Sequence, residues 1–274
     1  ALEVARYCVQ AGYPVIHWDQ ENGGNYVNSV CYSTTHGHPP GDGVWIHQGL
    51  EQLYRSLWSE IASLTPDFAV SMEQSNELYM PYLTMAQQRP FATGRQFPAL
   101  PPSTQPVPLL MFLHHEHLFG WAAYYPWRTT PDGIFYSLAK GFAAGLMPEL
   151  GRLEVEKYQR EEKQTWERYL KLFQSCMAGY RGFARDALMY GRMMPPLEIA
   201  MPAVTFEFHR QYTQLRNKAV NGLKQSFPSV LNSVWMTADG RTVIVLVNYT
   251  IDDHSFVIDL ASAPGWSSRA RAKW

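Results

Sequence analysis

The chain has 274 residues, of which 46% are hydrophobic and 17% charged, which predicts one large domain, or a large and a small one, with a substantial core rather than wholesale disorder. A formal net charge of -1 argues against nucleic-acid binding and attachment to an acidic membrane. No apolar run approaches the ~20 residues of a membrane span. The three cysteines show no metal-like spacing and cannot complete a disulfide framework.

The first predicted elements form a β-loop-α-β unit. A helix over Leu2–Gln10 precedes a strand over Val15–Gln20, a helix follows over Trp45–Ser63, and a second strand runs over Phe68–Glu73. The two strands should be parallel neighbours whose following loops lie at the same edge of the sheet. A helix that leads at once into a core strand is not how a barrel begins, so we expect earlier strands to be missing.

The later elements predict the rest of an α/β fold followed by antiparallel strands. Asp239-Gly240 is a hairpin signal between two alternating runs. We predict residues 1–200 to be the C-terminal part of a (β/α)8 TIM barrel and residues 201–274 to be a small, partial antiparallel β-sandwich. The predicted helices are Asn76–Gln88, Ile134–Leu146 and Glu154–Tyr190, and the predicted strands are Leu109–Leu113, Val230–Thr237, Thr242–Asn248 and His254–Leu260.

Two carboxylates follow the first two strands, at Asp19 and Glu73. The C-terminal ends of parallel strands are where α/β barrels keep their chemistry. Neighbouring strands lie ~4.8 Å apart, which suits the ~5–5.5 Å between the two carboxyls of a retaining glycosidase. The alternative is that each acid caps the segment after it or pairs with an arginine. Glu77 competes with Glu73 for the acid/base role, although it is expected in the first turn of a helix.

Histidines and aromatic side chains surround this pair in the sequence. His36 and His38 lie in a long Gly-rich loop, and His114, His115 and His117 follow a predicted strand. Histidine is a zinc ligand, but no standard metal motif is present, so we predict no metal and no cofactor. The aromatic fraction of 14% fits either stacking platforms for sugars or a well-filled core.

Several segments resemble the glycoside-hydrolase-like barrels catalogued as domain of unknown function 6259, from about Tyr13 to the hairpins near Leu260. The chain departs from the family pattern at His114-His115-Glu116-His117, where Tyr-His, then Asp or Glu and an aromatic residue, are expected. The segments that carry the resemblance are Asp19-Gln20, Cys31-Tyr32, His36-Gly37-His38-Pro39, Gly41-Asp42-Gly43, Met72-Glu73, Glu77-Leu78-Tyr79 and the strand ending near His115.

Such barrels are similar to endo-α-N-acetylgalactosaminidases and α-galactosidase-like retaining enzymes. The resemblance implies a retaining glycosidase for α-linked sugars, with Asp19 as nucleophile and Glu73 as acid/base, and a secreted or periplasmic location. It implies a carbohydrate substrate and no particular oligomeric state. Two alternatives stay open: a non-catalytic carbohydrate-binding barrel, and a metal-dependent hydrolase that joins His36 or His38 to the later histidine cluster. The predicted substrate-binding residues are Trp18, Gln20, Tyr32, His36, His38, Trp45, Glu77 and His115.

Overall fold

The computed structural model describes residues 1–19, 30–41, 43–73, 77–88, 108–124, 130–150, 163–210, 220–259 and 261. The chain divides into two compact units, Ala1–Gln87 and Gln88–Trp274. The fold is mixed α/β, with parallel strands in both units and antiparallel sheets in the second. None of the described helices is both long and apolar enough to cross a membrane.

The described residues of the first unit form three short parallel strands and two α-helices. The helical segment after Val44 begins as an α-helix and ends in one π-helical and one 3₁₀ turn. Its elements, in chain order, are α1 Leu2–Gln10, β1 Val15–Trp18, α2 Trp45–Ser56, the π turn Leu57–Ile61, the 3₁₀ turn Ala62–Leu64, β2 Ala69–Glu73, the 3₁₀ turn Met80–Tyr82 and β3 Met85–Gln87. The predicted helix, loop and strand order up to Glu73 is therefore confirmed.

The three described strands of the first unit run parallel to one another. Trp18 lies opposite Met72 in the β1–β2 pair, and Glu73 lies opposite Gln87 in the β2–β3 pair. The predicted parallel pairing of the first two strands is confirmed, with both loops at one edge. Val70 and Met72 of β2 are fully buried.

The predicted helix Asn76–Gln88 is wrong over its described part, residues 77–88. This stretch is a turn, a 3₁₀ turn with Pro81 near its start, and strand β3. Proline in a helix interior removes a backbone donor and clashes with the preceding turn. The chain instead pairs with β2, where Ser71 lies opposite Met85.

The second unit combines a parallel pair, β4–β5, with a three-stranded antiparallel sheet in the order β10-β9-β6 and a separate hairpin, β7–β8. Its longest described helix is α5. The elements are α3 Leu109–His114, β4 Phe119–Tyr124, α4 Pro131–Ala143, β5 Met147–Leu150, α5 Lys163–Arg181, α6 Arg185–Tyr190, β6 Arg192–Met194, β7 Ala203–Arg210, β8 Val220–Pro228, β9 Val230–Met236 and β10 Thr242–Asn248.

Some predictions for the second unit are confirmed. Strands β9 and β10 pair across the turn that contains Gly240, which has φ +82°. The helix predicted over Ile134–Leu146 is α4, which begins three residues earlier because Pro131 occupies its first turn and the Thr130 side chain accepts a bond from the Gly133 N–H. The described part of the helix predicted over Glu154–Tyr190 is α5 and α6, separated by a turn at residues 182–184.

Other predictions for the second unit are wrong. Leu109–Leu113 is helical, and the helix ends at His114, so His115 and His117 follow a helix rather than a strand. A short apolar run carries no period that separates a buried helix from a buried strand. Residues 254–259 of the predicted third strand have no strand structure, while Leu260 lies outside the described residues. The boundary at 200/201 stays a prediction, although β6 before it pairs with β9 after it.

Gly145 lies at a crowded position in the core of the second unit. Its φ of +78° lies in the left-handed region, and a Cβ there would come within 2.5 Å of His115 Nε2 and 2.6 Å of the Trp235 ring. The Trp235 and His115 rings lie 4.5 Å apart, centroid to centroid. The imidazole faces two carbonyls, with Nδ1 2.8 Å from Gly191 O and Nε2 3.4 Å from Gly145 O.

Burial of His115 predicts acid sensitivity of the second unit. Desolvation lowers the pKa of this histidine below its usual 6.5, and this effect outweighs the opposing bonds to the Gly191 and Gly145 carbonyls. As the pH falls, His115 is therefore protonated at a higher pH in the unfolded chain than in the folded protein. We expect the free energy of unfolding to fall as the pH drops through 6.5 and below, down to the pKa of the folded state.

Denaturant titrations at a series of pH values check this expectation. A His115→Gln variant should lose this part of the pH dependence, although its overall stability will also differ. His117→Gln, which changes an exposed histidine two residues away, should keep the wild-type slope. Identical slopes for the wild type and His115→Gln would contradict the prediction.

Candidate active site

Asp19 and Glu73 lie at the same edge of the first unit's parallel sheet. Glu73 is the last residue of β2 and is 5% exposed, whereas Asp19 directly follows β1 and is exposed. The β1–β2 register ends with Trp18 opposite Met72, so one further step along both strands brings Asp19 beside Glu73. Adjacent strands lie ~4.8 Å apart in the hydrogen-bonding direction.

Strand alternation predicts that the side chains of Asp19 and Glu73 belong to one face of the sheet. Side chains alternate along a strand, so residues two apart share a face. The positions two residues earlier are His17 and Ser71, whose side chains touch: His17 Nδ1 lies 3.1 Å from Ser71 Oγ. The two acids therefore extend the face marked by this hydrogen bond, provided that Asp19 continues the alternation of β1.

Gln87 completes a polar row along this edge. It lies opposite Glu73 in the β2–β3 register and is 4% exposed. We call Asp19, Glu73 and Gln87 the polar row. The sequence reasoning missed Gln87, because it placed that stretch in a helix. It also passed over His17, although the position two residues before Asp19 in a strand was a usable signal.

Trp18 and Trp45 each bury an unpaired donor. Their Nε1 atoms have no hydrogen-bond partner within the described structure. A buried N–H without a partner is uncommon in folded proteins. Strand alternation places Trp18 on the face opposite the polar row, whereas Trp45 begins α2.

The other predicted substrate-binding residues of the first unit differ in their surroundings. Tyr32 is 76% exposed, and Glu77 is exposed in the turn after β2. Gln20 lies outside the described residues. In the same unit, the buried Tyr79 hydroxyl bonds the ring of His47.

His36 and His38 belong to a closed loop, Cys31–Gly41. An antiparallel bridge joins its ends, with the Gly41 N–H donating to the Cys31 carbonyl over 2.6 Å. Within the loop, His36 Nδ1 lies 3.2 Å from Cys31 Sγ. The His38 ring stacks on Trp45 at 4.0 Å, and the two rings are inclined by only 5°.

His115 occupies a different setting from the one predicted. It is 3% exposed and belongs to the core of the second unit, where its ring nitrogens face backbone carbonyls. Among the described residues, the His114–His117 segment contributes to no group of three metal-ligand side chains. Its setting supports a structural role for His115.

The polar row combines an exposed carboxylate, Asp19, with a buried one, Glu73, so the two acids have unlike surroundings. Sites with such a pair separate a nucleophile from a proton donor. A neighbouring buried amide and an imidazole add hydrogen-bonding groups of the kind that orient sugar hydroxyls.

The chain is similar to one protein family and to one curated protein. A family model described as "Domain of unknown function (DUF6259)" matches residues 3–125, less than half of the chain. A Bacteroides thetaiotaomicron protein named "Putative glycoside hydrolase" is 22% identical over 233 residues, which cover 83% of this chain and 30% of that protein. This chain is thus similar to part of a glycoside-hydrolase-like protein, and the family match contains Asp19, Glu73 and Gln87.

Proposed function

We propose that this chain carries the catalytic acids of a retaining glycoside hydrolase acting on α-linked sugars. The observation that supports this proposal is the parallel register of β1 and β2, in which Trp18 and Met72, the residues just before the two acids, are partners. The spacing of adjacent strands suits retention, since inverting enzymes need ~6.5–9.5 Å to seat a water between the carboxyls. The parallel sheet of the first unit supports a partial (β/α)8 barrel, and the resemblance to α-galactosidase-like enzymes supplies the choice of α linkage.

Each acid has one role in this proposal. A carboxylate oxygen of Asp19 forms a bond to the anomeric carbon while the bond from that carbon to the leaving oxygen breaks. Glu73 gives its proton to the leaving oxygen, then takes a proton from the water that releases the sugar from Asp19. Asp19 is exposed and Glu73 is buried, so the two acids differ in their access to solvent.

Binding the sugar falls to groups around the polar row. Gln87 and His17 supply hydrogen bonds to hydroxyls, Tyr32 and Trp45 supply aromatic faces, and Glu77 lies in the turn after β2. Gln20, which lies outside the described residues, stays in the proposed set. His36, His38, Trp18 and His115 are left out of this set. The first two face Cys31 and Trp45, Trp18 lies on the other face, and His115 is in a core.

The test is a panel of aryl α- and β-glycosides offered to the full-length protein. Proton NMR should show an α-glycoside cleaved to a product whose first-formed anomer is also α. An inverted anomer would overturn the retaining mechanism, and cleavage of β-glycosides alone would overturn the linkage. Saturable binding of oligosaccharides without hydrolysis would replace the enzyme with a carbohydrate-binding barrel.

A further inference from the structure

The Cys31–Gly41 loop gathers one thiol and two imidazoles on a short stretch of chain. One ligand atom from each of Cys31, His36 and His38 lies within 4.8 Å of the other two. In the part of the chain that the structure describes, this is the one group of three side chains able to share a metal ion. The loop lies entirely within the first unit, and its residues are exposed or half-buried, so an ion can reach them from solvent.

One distance within the group is close to that expected for tetrahedral coordination. Zinc binds thiolate at about 2.3 Å and imidazole at about 2.0–2.1 Å, which places a sulfur and a nitrogen about 3.5 Å apart on a tetrahedral ion. Cys31 Sγ and His36 Nδ1 are already 3.2 Å apart. Separating these two atoms by a few tenths of an ångström opens the position that the ion would take.

His38 is held in the tautomer that a metal ligand needs. Its Nδ1 lies 2.9 Å from the Pro39 carbonyl and donates its proton there, which leaves the Nε2 lone pair for a metal. Metal-bound histidines typically donate the other ring N–H to a carbonyl or carboxylate in this way. The parallel stack on Trp45 fixes the plane of the ring.

The backbone of the loop keeps the ligands together. Gly37 has φ +74°, a left-handed conformation that reverses the chain between the two histidines and that other residues adopt at a cost. Gly41, with φ +108°, closes the loop against Cys31. The ligands are thus partly arranged before an ion arrives, which lowers the entropy lost on binding.

We propose that Cys31, His36 and His38 form a zinc site with a fourth position open to water or to another ligand. Thiolate and imidazole are the donors that Zn²⁺ favours over Mg²⁺ or Ca²⁺. Binding displaces the thiol proton of Cys31 into solvent. This proposal does not depend on the proposed glycosidase activity.

Cobalt substitution tests the site directly. The reduced, chelator-treated full-length protein is titrated with Co²⁺, then with Zn²⁺. We expect a sulfur-to-cobalt charge-transfer band and the intense d–d bands of a tetrahedral ion at one equivalent, all displaced by Zn²⁺. Cys31→Ser should abolish the charge-transfer band and weaken Zn²⁺ binding at least 10-fold, and His38→Ala should weaken binding to a similar degree.

Two matched controls and one further measurement keep the test decisive. Cys8→Ser changes another free cysteine of the same unit, and His117→Gln an exposed histidine of the other unit; both should bind Zn²⁺ like the wild type. Zn²⁺ should raise the melting temperature of the wild type but not that of Cys31→Ser, because a ligand stabilises only a state that binds it. A wild type without the charge-transfer band, or Cys31→Ser that retains it, would overturn the proposal.

Discussion

Replacing Asp19 by Asn in the full-length protein is expected to reduce glycoside hydrolysis on the order of 10⁴-fold or more, the scale seen when a catalytic nucleophile is removed. Asparagine keeps the size of the side chain but loses the charge that attacks the anomeric carbon. Initial rates on the best aryl glycoside measure the change. Asp67→Asn, which alters an exposed aspartate in the turn before β2, should leave the rate unchanged.

Glu73 should give a different signature, because its role is proton transfer. Glu73→Ala should slow turnover by about 10²–10⁴-fold on substrates whose leaving group needs protonation. Less loss is expected for an aryl glycoside with an acidic leaving group. Added azide should then restore turnover and yield a glycosyl azide with the configuration of the substrate. Azide rescue in a Glu77→Ala variant instead would move the acid/base role to Glu77.

Variants at both acids that retain wild-type rates would refute the assignment of this pair. Neither substitution adds bulk, so a lower rate can be attributed to the lost carboxyl group. Circular dichroism of each variant should match the wild type, which separates lost chemistry from lost fold.

Replacing Trp235 by Ala is expected to destabilise the second unit by about 3–5 kcal/mol, the usual cost of truncating a large buried side chain. The ring of Trp235 is fully buried, and its Nε1 donates to Ser233 Oγ over 2.9 Å. Truncation leaves a cavity beside Gly145 and His115 and removes the ring that packs against His115. Typical domains have only about 5–15 kcal/mol of stability in total.

Denaturant unfolding followed by circular dichroism checks this prediction. Trp235→Phe keeps most of the apolar volume and should cost clearly less. Phe183→Ala removes a ring that is 86% exposed in the same unit, so its midpoint should stay close to that of the wild type. A Trp235→Ala midpoint equal to that of Phe183→Ala would contradict the prediction.

The first unit shows which features of the fold can be predicted from sequence. Strands β1 and β2 are apolar runs bounded by turns, and the helix between them has a clear period, so their parallel pairing followed from topology. Strand β3 spans only three residues, Met85–Gln87, which is too short for a pattern. Its neighbours favour a helix, and its structure is set by pairing with β2 rather than by local preference.

Two of the three residues in the polar row could be proposed from the sequence. Asp19 and Glu73 could be named because each ends an apolar strand, whereas Gln87 could not, since its relevance depends on a pairing far along the chain. His115 illustrates the opposite error. Its polar neighbours in sequence suggested a cleft, but Gly145, Gly191 and Trp235 enclose it, and these contacts join residues that are distant in sequence.

The register between β1 and β2 also determines which evolutionary changes this edge of the sheet can tolerate. The Ala69 N–H bonds the Pro14 carbonyl just before β1, so this bond anchors the strand at its start. Inserting one residue between Pro14 and Asp19 would turn Asp19 to the opposite face and bring Trp18 into its place. Related sequences can therefore differ by substitutions along β1, but its length should stay constant. Insertions and deletions are expected in the turn at residues 11–13 instead.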